Sequence, residues 1–172
     1  PLLYSTKSDI IIALTITFAD QICSSLIRPV VARLRPANLG NPIVDMVYIV
    51  NGYRGGSYGF PSCHAANSFG LALYVICTFR KRWLSLFIIA WAALNCYTRI
   101  YLGVHYPGDL LVGGIIGGFG GWMFSTIAHK AAVYLEPSTR MRRNEIKQTS
   151  VTIYAGLLTV LGILIYSTIR SW

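Results

Sequence analysis

Charge is what this chain has least of. Asp, Glu, Lys and Arg make up 12% of its 172 residues, about half the share usual in a soluble domain. With 54% hydrophobic residues and a mean hydropathy of +0.53, that scarcity excludes an ordinary water-facing surface and points to a membrane. The net charge of +9 would suggest nucleic acid in a soluble protein. Here the basic residues stand at the ends of apolar runs or inside a few short motifs, so nucleic acid is not an expected partner.

Paired cysteines are missing too. Cys23, Cys63, Cys77 and Cys96 show no paired spacing, which argues against a disulfide framework and against a zinc site. Three of them lie in apolar runs and read as small hydrophobes. Cysteine-nucleophile phosphate chemistry needs an arginine six positions after the thiol. Phe69 follows Cys63 at that interval and Pro29 follows Cys23. There is no internal repeat, no low-complexity tract and no secretory signal pattern, since Lys7 and Asp9 precede the first apolar run. The chain starts at Pro1 without a methionine, which reads as a trimmed start with a membrane segment expected upstream.

What is present are long apolar runs. Five reach toward the roughly 20 residues that a helix needs to cross a bilayer: 10–27, 65–79, 83–96, 109–127 and 151–169. The second and third are short, so helix is expected to continue into the residues flanking them. The predicted fold is therefore all-α, a membrane-embedded helical bundle in a single domain spanning 1–172. About five transmembrane helices are expected here, with room for a sixth in the intact protein. Residues 37–60 form the main insert between spans. Within it, Ile43 to Val50 is expected as a short interfacial helix, and Gly52, Gly55, Gly56 and Gly59 as a flexible loop. If the spans alternate, Lys7, the run Arg80-Lys81-Arg82 and a basic connector at 129–150 share one side, which the positive-inside rule makes cytoplasmic. Glycines at 113, 114, 117, 118, 120 and 121 recur at helical spacing and predict close helix packing in lipid.

Three polar clusters interrupt this apolar frame, and all fall on the opposite, extracytoplasmic side. The first ends a span with Arg28, Arg33, Arg35 and Pro36. Arginine is permanently charged and its fork matches phosphate oxygens, although snorkelling at a helix end explains such residues about as well. The second is Pro61-Ser62-Cys63-His64, just before an apolar helix. Ser62 is a natural N-cap, the N–H groups of Cys63 and His64 point at any bound anion, and His64 is placed as a general acid. A plain helix start with a surface histidine is the bland alternative. The third is Thr98-Arg99, then His105 and Asp109. Pro107 suits a first helical turn, so Asp109 can reach back to His105, fix its tautomer and leave the other nitrogen free to attack. A capping aspartate beside an interfacial histidine is the simpler account. Asp20 and Gln21 lie inside the first span, where an ionisable residue seeks a partner.

In order and interval these residues resemble the type-2 phosphatidic acid phosphatase superfamily, which includes integral lipid phosphatases, glucose-6-phosphatase and soluble vanadium haloperoxidases. Its pattern is a lysine, six residues and Arg-Pro; Pro-Ser-Gly-His; then Ser-Arg, five residues, His, three residues and Asp. This chain has Arg28 for the lysine, Cys63 for the glycine and Thr98 for the serine, with every interval kept. The resemblance implies catalysis by His105, Asp109 and His64 through a phosphohistidine on His105. Phosphate would be held by Arg28, Arg35, Ser62, Cys63 and Arg99, with no metal and no cofactor. It implies a lipid phosphate or pyrophosphate as substrate: undecaprenyl pyrophosphate first, then phosphatidylglycerol phosphate and lipid A phosphates. The expected location is a bacterial inner membrane. Two other classes fit parts of the pattern. A metal-dependent hydrolase would use His64, His105 and Asp109 as ligands, but the arginines would then crowd a cation. A lipid or ion transporter would use Asp20 and the glycine-rich span, but the ionisable residues gather at one face.

Overall fold

A computed structural model describes residues 2–135. The chain enters as α1 (Leu2–Gln21), passes through a π-helical segment (Ile22–Ile27) and continues as α2 (Arg28–Val31). After the insert come α3 (Cys63–Phe79), α4 (Arg82–Tyr101) and α5 (Pro107–Leu135). Residues 2–130 form one unit, and of the second, from Ala131 onward, only the end of α5 is described. The expected fifth span at 151–169 and the residues from Arg140 to Lys147 lie outside the described residues. His129, the expected start of the basic connector, falls inside α5.

The all-α membrane bundle is as the composition predicts. Among the described residues, Ile10–Val31, Arg82–Tyr101 and Pro107–Ala131 are long and apolar enough to cross a bilayer, and Cys63–Phe79 is a shorter apolar helix. As expected, α3 and α4 run on into the motifs at their ends. Large apolar side chains point outward, with Ile115 71% and Leu94 62% exposed, while the buried face of α3 is made of Ala65, Ala66, Ser68, Gly70, Ala72, Tyr74 and Val75. Apart from Tyr74, the inside is small and the outside large, the pattern of helices that face lipid and touch one another through their backbones.

That inversion places α3 at the centre. It packs against α1 and α4, and Asn95 of α4 donates to the Ser68 hydroxyl at 2.9 Å. Along α5, Gly113, Gly117 and Gly121 each lie so close to α3 that a Cβ would collide with a carbonyl oxygen, those of Ser62, Ala66 and Gly70 respectively. Gly118, one residue round the helix, faces only the Leu73 side chain at ordinary van der Waals distance. Phe18 of α1 meets Phe124 of α5 edge-on, with ring centroids 5.7 Å apart.

The insert differs from expectation. Ile43 to Val50 is not a continuous helix: it holds one 3₁₀ turn at Val44–Met46, is extended at Val47 and Ile49, and enters a second short turn at Val50–Gly52. The reason is Asn41. Its buried side-chain amide donates to the carbonyls of Leu34 (3.4 Å) and Arg35 (2.9 Å) and to the Tyr106 hydroxyl (2.9 Å), while its side-chain oxygen accepts from the Ile43 N–H. The insert is thereby tied to the first and third motifs.

Gly117→Ala is expected to destabilise the protein by about 1–3 kcal/mol or more through overpacking of the α3–α5 seam, whereas Gly118→Ala should be neutral or slightly stabilising. Thermal melting of both variants in the same detergent checks this.

Candidate active site

The three clusters meet at one end of the bundle, where α2 ends, α3 begins, α4 ends and α5 begins. Three local devices bring them there. The π-helical segment inserts extra backbone per turn, so Arg28 follows on a different face from the helix before it. Ala32 then adopts a left-handed conformation (φ 46°) that stops α2, a conformation costing a residue with a Cβ about 1–2 kcal/mol, and the chain turns so that Arg33 and Arg35 follow. Last, Ser62 caps α3 by accepting from the Ala65 N–H at 3.4 Å, and its own N–H donates to the Asp109 carbonyl at 3.0 Å.

His105 is at the centre, 3% exposed. Its Nε2 lies 3.3 Å from Nη1 of Arg35. A guanidinium can only donate, so Nε2 carries the lone pair and Nδ1 the proton. Nδ1 faces Oδ2 of Asp109 at 3.4 Å, and the Gly59 backbone comes near enough that a Cβ there would stand 3.5 Å from the same nitrogen. Asp109 is fully buried. Its Oδ2 also accepts from the Tyr106 N–H at 2.9 Å, and its Oδ1 pairs with Arg33.

Around this pair stand the cations. Arg35 is anchored through the carbonyls of Tyr58 (3.1 Å) and Val104 (3.4 Å); burial, and then the charge of Arg28, hold its guanidinium below the usual arginine range, though not so far as to discharge it. Arg28 donates to the Pro61 carbonyl (3.3 Å) and to Sγ of Cys63 (2.7 Å). The Nε atoms of Arg28 and Arg99 are buried without a hydrogen-bond partner, so both can still serve an anion. His64 is exposed at the rim. Buried N–H donors without acceptors, fixed positive charge and a neutral imidazole with its lone pair directed among them make a site for an oxyanion and for attack on it.

Residues 9–132 match the model of the PAP2 superfamily. The chain belongs to that superfamily. Among its relatives, a lipid A 4′-phosphatase of Bacteroides thetaiotaomicron is 65% identical over 93% of this chain and 72% of its own length. A lipid A 4′-phosphatase of Porphyromonas gingivalis is 37% identical over 76% of this chain and 61% of its own length. An undecaprenyl-diphosphatase of Sulfolobus acidocaldarius is 32% identical over 67% of this chain and 54% of its own. No solved structure is a significant match.

Within this PAP2 frame the departures have physical explanations. Cys63 needs no glycine-like backbone: it is the first residue of α3 and has no positive φ. Its thiol contacts Arg28, the residue that replaces the family lysine. Thr98 donates its hydroxyl back to the Asn95 carbonyl at 2.7 Å. The Ser24 hydroxyl, one turn on from Asp20, donates to the Asp20 backbone carbonyl at 2.7 Å and lies 3.5 Å from its carboxylate.

Two site residues lie outside the expected set. Gly59 has the sequence context of a flexible loop, yet a Cβ there would stand 3.1 Å from Arg35 and 3.2 Å from Asp109 Oδ2; the backbone has to come this near the site. Arg33 has no role in the motif pattern, and only the fold shows it paired with Asp109.

Burial, with the charges of Arg35, His64 and Arg28, lowers the His105 imidazole from 6.5 to about 3, against the pull of the nearby Gly59 backbone. Above pH 6.5 it is neutral folded or unfolded; below that the unfolded chain takes the proton and the folded one resists it until about 3. Stability should therefore fall as pH drops across that window, and His105→Gln should flatten the fall. Unfolding in detergent at about pH 7.5 and about pH 4.5, for parent and variant, measures it.

Proposed function

We propose that this chain is a membrane-embedded lipid phosphate phosphatase acting on lipid A, the 4′-phosphate first, through a phosphohistidine on His105. The observation that carries the reading is the setting of His105: lone pair toward Arg35, proton toward Asp109, with Arg28 and Arg99 offering buried, unused N–H groups nearby. The names of the two lipid A phosphatases among its relatives move lipid A ahead of undecaprenyl pyrophosphate and phosphatidylglycerol phosphate.

In this mechanism Arg28, Arg35 and Arg99, with the start of α3 at Ser62 and Cys63, hold the non-bridging oxygens. Substrate oxygen displaces His105 Nε2 from Arg35, and Nε2 attacks phosphorus. The phosphorus–oxygen bond to the lipid breaks as protonated His64 gives its proton to the leaving oxygen. Asp109 stabilises the positive charge that develops on the ring. Water, giving up a proton to His64, then attacks phosphorus; the phosphorus–nitrogen bond breaks and inorganic phosphate leaves. Arginines supply the charge neutralisation that metal ions supply in other phosphoryl transfers.

The basic run at 80–82 follows the end of α3 remote from His64, and Lys7 lies in the early part of α1. Both support a cytoplasmic location for those ends and an extracytoplasmic site. In a bacterium, that site would face outward from the inner membrane.

The test is phosphate release in excess chelator from purified lipid A, undecaprenyl diphosphate and phosphatidylglycerol phosphate. The parent should release phosphate from lipid A and form an acid-labile, base-stable phosphoenzyme. His105→Ala should do neither, and His64→Ala should be slowed by about 100- to 10,000-fold. Parent-like turnover by His105→Ala would remove the phosphohistidine from consideration, and activity lost to the chelator would point to a metal.

A further inference from the structure

We propose that Arg33 is a positioning residue of this site: held over two aromatic rings, its guanidinium pairs with the buried Asp109 and takes up much of that carboxylate's charge, so that His105 keeps a neutral, attacking imidazole. The inference rests on the reading of His105 as nucleophile and assigns a part to a residue outside the superfamily pattern.

Three independent contacts fix Arg33. Its Cζ lies 4.8 Å from the centroid of Phe60 and 4.9 Å from that of Tyr106, within range of a cation–π interaction. Phe60 immediately precedes Pro61 of the second motif, and Tyr106 immediately follows His105 of the third. Its own carbonyl accepts from the Gly59 N–H at 2.9 Å. The third contact is the ion pair with Asp109 Oδ1. One side chain from the first cluster thus touches the flanks of the other two.

The carboxylate is divided between its neighbours. Oδ1 serves Arg33, while Oδ2 accepts from Tyr106 N–H at 2.9 Å and from His105 Nδ1 at 3.4 Å. Of the two contacts at Oδ2, the catalytic one is the longer. A buried carboxylate with no other charge beside it would draw a second proton onto the adjacent imidazole, and an imidazolium has no lone pair with which to attack. A cation on the far oxygen offsets that pull while leaving Oδ2 to orient the ring. The other groups that bear on His105 are Arg35 after α2, Arg28 at the start of α2 and His64 at the start of α3; Arg99 at the end of α4 acts on Arg35. All but His64 are fixed cations and favour the neutral ring, so Asp109 is the charge that has to be offset. The carboxylate engages Arg33 through Nη2; its Nε, like those of Arg28 and Arg99, is buried without a hydrogen-bond partner, so the split between kcat and KM decides whether it also meets phosphate.

The experiment is the pH dependence of kcat/KM on lipid A in detergent, from about pH 3.5 to about pH 8, for the parent, Arg33→Met, Arg33→Lys and His105→Ala, with melting curves as the folding check. His105 must be unprotonated to attack, so the parent's acid limb from this group is expected toward 3, at or below the window. Arg33→Met should raise that limb by about one unit or more and lower kcat by about tenfold or more, with KM nearly unchanged. Arg33→Lys keeps the charge but not the planar fork; it should leave the limb at the parent position and lower kcat. An unmoved limb in Arg33→Met, a limb moved equally by Lys and Met, or a loss confined to KM would overturn the proposal. Should Arg33→Met melt unlike the parent, Arg33→Lys decides, and a parent-like kcat in it would overturn the proposal too. Parent-like turnover in His105→Ala is a separate result, and it would strike the phosphohistidine reading itself.

Discussion

The contact on which this structure depends is backbone against backbone, between α3 and α5. Because Gly113, Gly117 and Gly121 have no Cβ, α5 can lie directly on the carbonyls of Ser62, Ala66 and Gly70. In lipid there is no hydrophobic gain from burying a large side chain between helices, so close approach and dispersion hold them together. The consequence at the polar end is geometric. The beginnings of the two helices come near enough for Ser62 N–H to donate to the Asp109 carbonyl. The second and third motifs lie far apart in the chain, and they share one site because the seam beneath them admits no side chain.

Electrostatics explains the rest of the site. Arg35 and Arg28 bear on one imidazole, with Arg99 acting on Arg35, an arrangement that repels a proton from His105 and attracts an anion to the site. Desolvation acts in the same direction, since His105 is almost wholly buried. The carboxylate of Asp109 opposes both effects, and it is the group that carries Arg33 on its other oxygen. Under the proposed reading, the resting site is a receptor for negative charge that keeps its nucleophile unprotonated.

Much of this is legible in the sequence, because it is written in intervals. Apolar run lengths mark the spans. The spacing from Arg28 to Arg35 and from Arg99 through His105 to Asp109 marks the residues that the fold brings together. Ser62 is readable as a cap because capping is local. What is not legible depends on contacts between distant segments. Asn41 converts an apolar stretch that reads as an interfacial helix into a turn and extended chain, through bonds to Leu34, Arg35 and Tyr106. Gly59 has the composition of a loose loop and the position of a close backbone approach. Arg33 looks like any arginine at a helix end until Phe60, Tyr106 and Asp109 surround it. A signal is present in each case, an amide, a glycine or a charge beside a motif, but its partner lies too far along the chain to be named.

The placement of the site constrains the kind of substrate it can serve. Its parts come from helix ends at one face of the bundle, not from the middle of the spans; under the proposed reading, phosphate is met at headgroup depth. The outward faces of α4 and α5 remain apolar, with Leu94, Leu111 and Ile115 exposed. A phosphate carried on a membrane anchor can therefore reach the arginines while its acyl chains stay in the bilayer beside those helices. A soluble phosphate ester gains nothing from that surface. Under that reading, the same geometry that lets α5 lie against α3 sets the depth of the reacting phosphorus, and a lipid headgroup is the phosphate that the membrane itself holds at that depth.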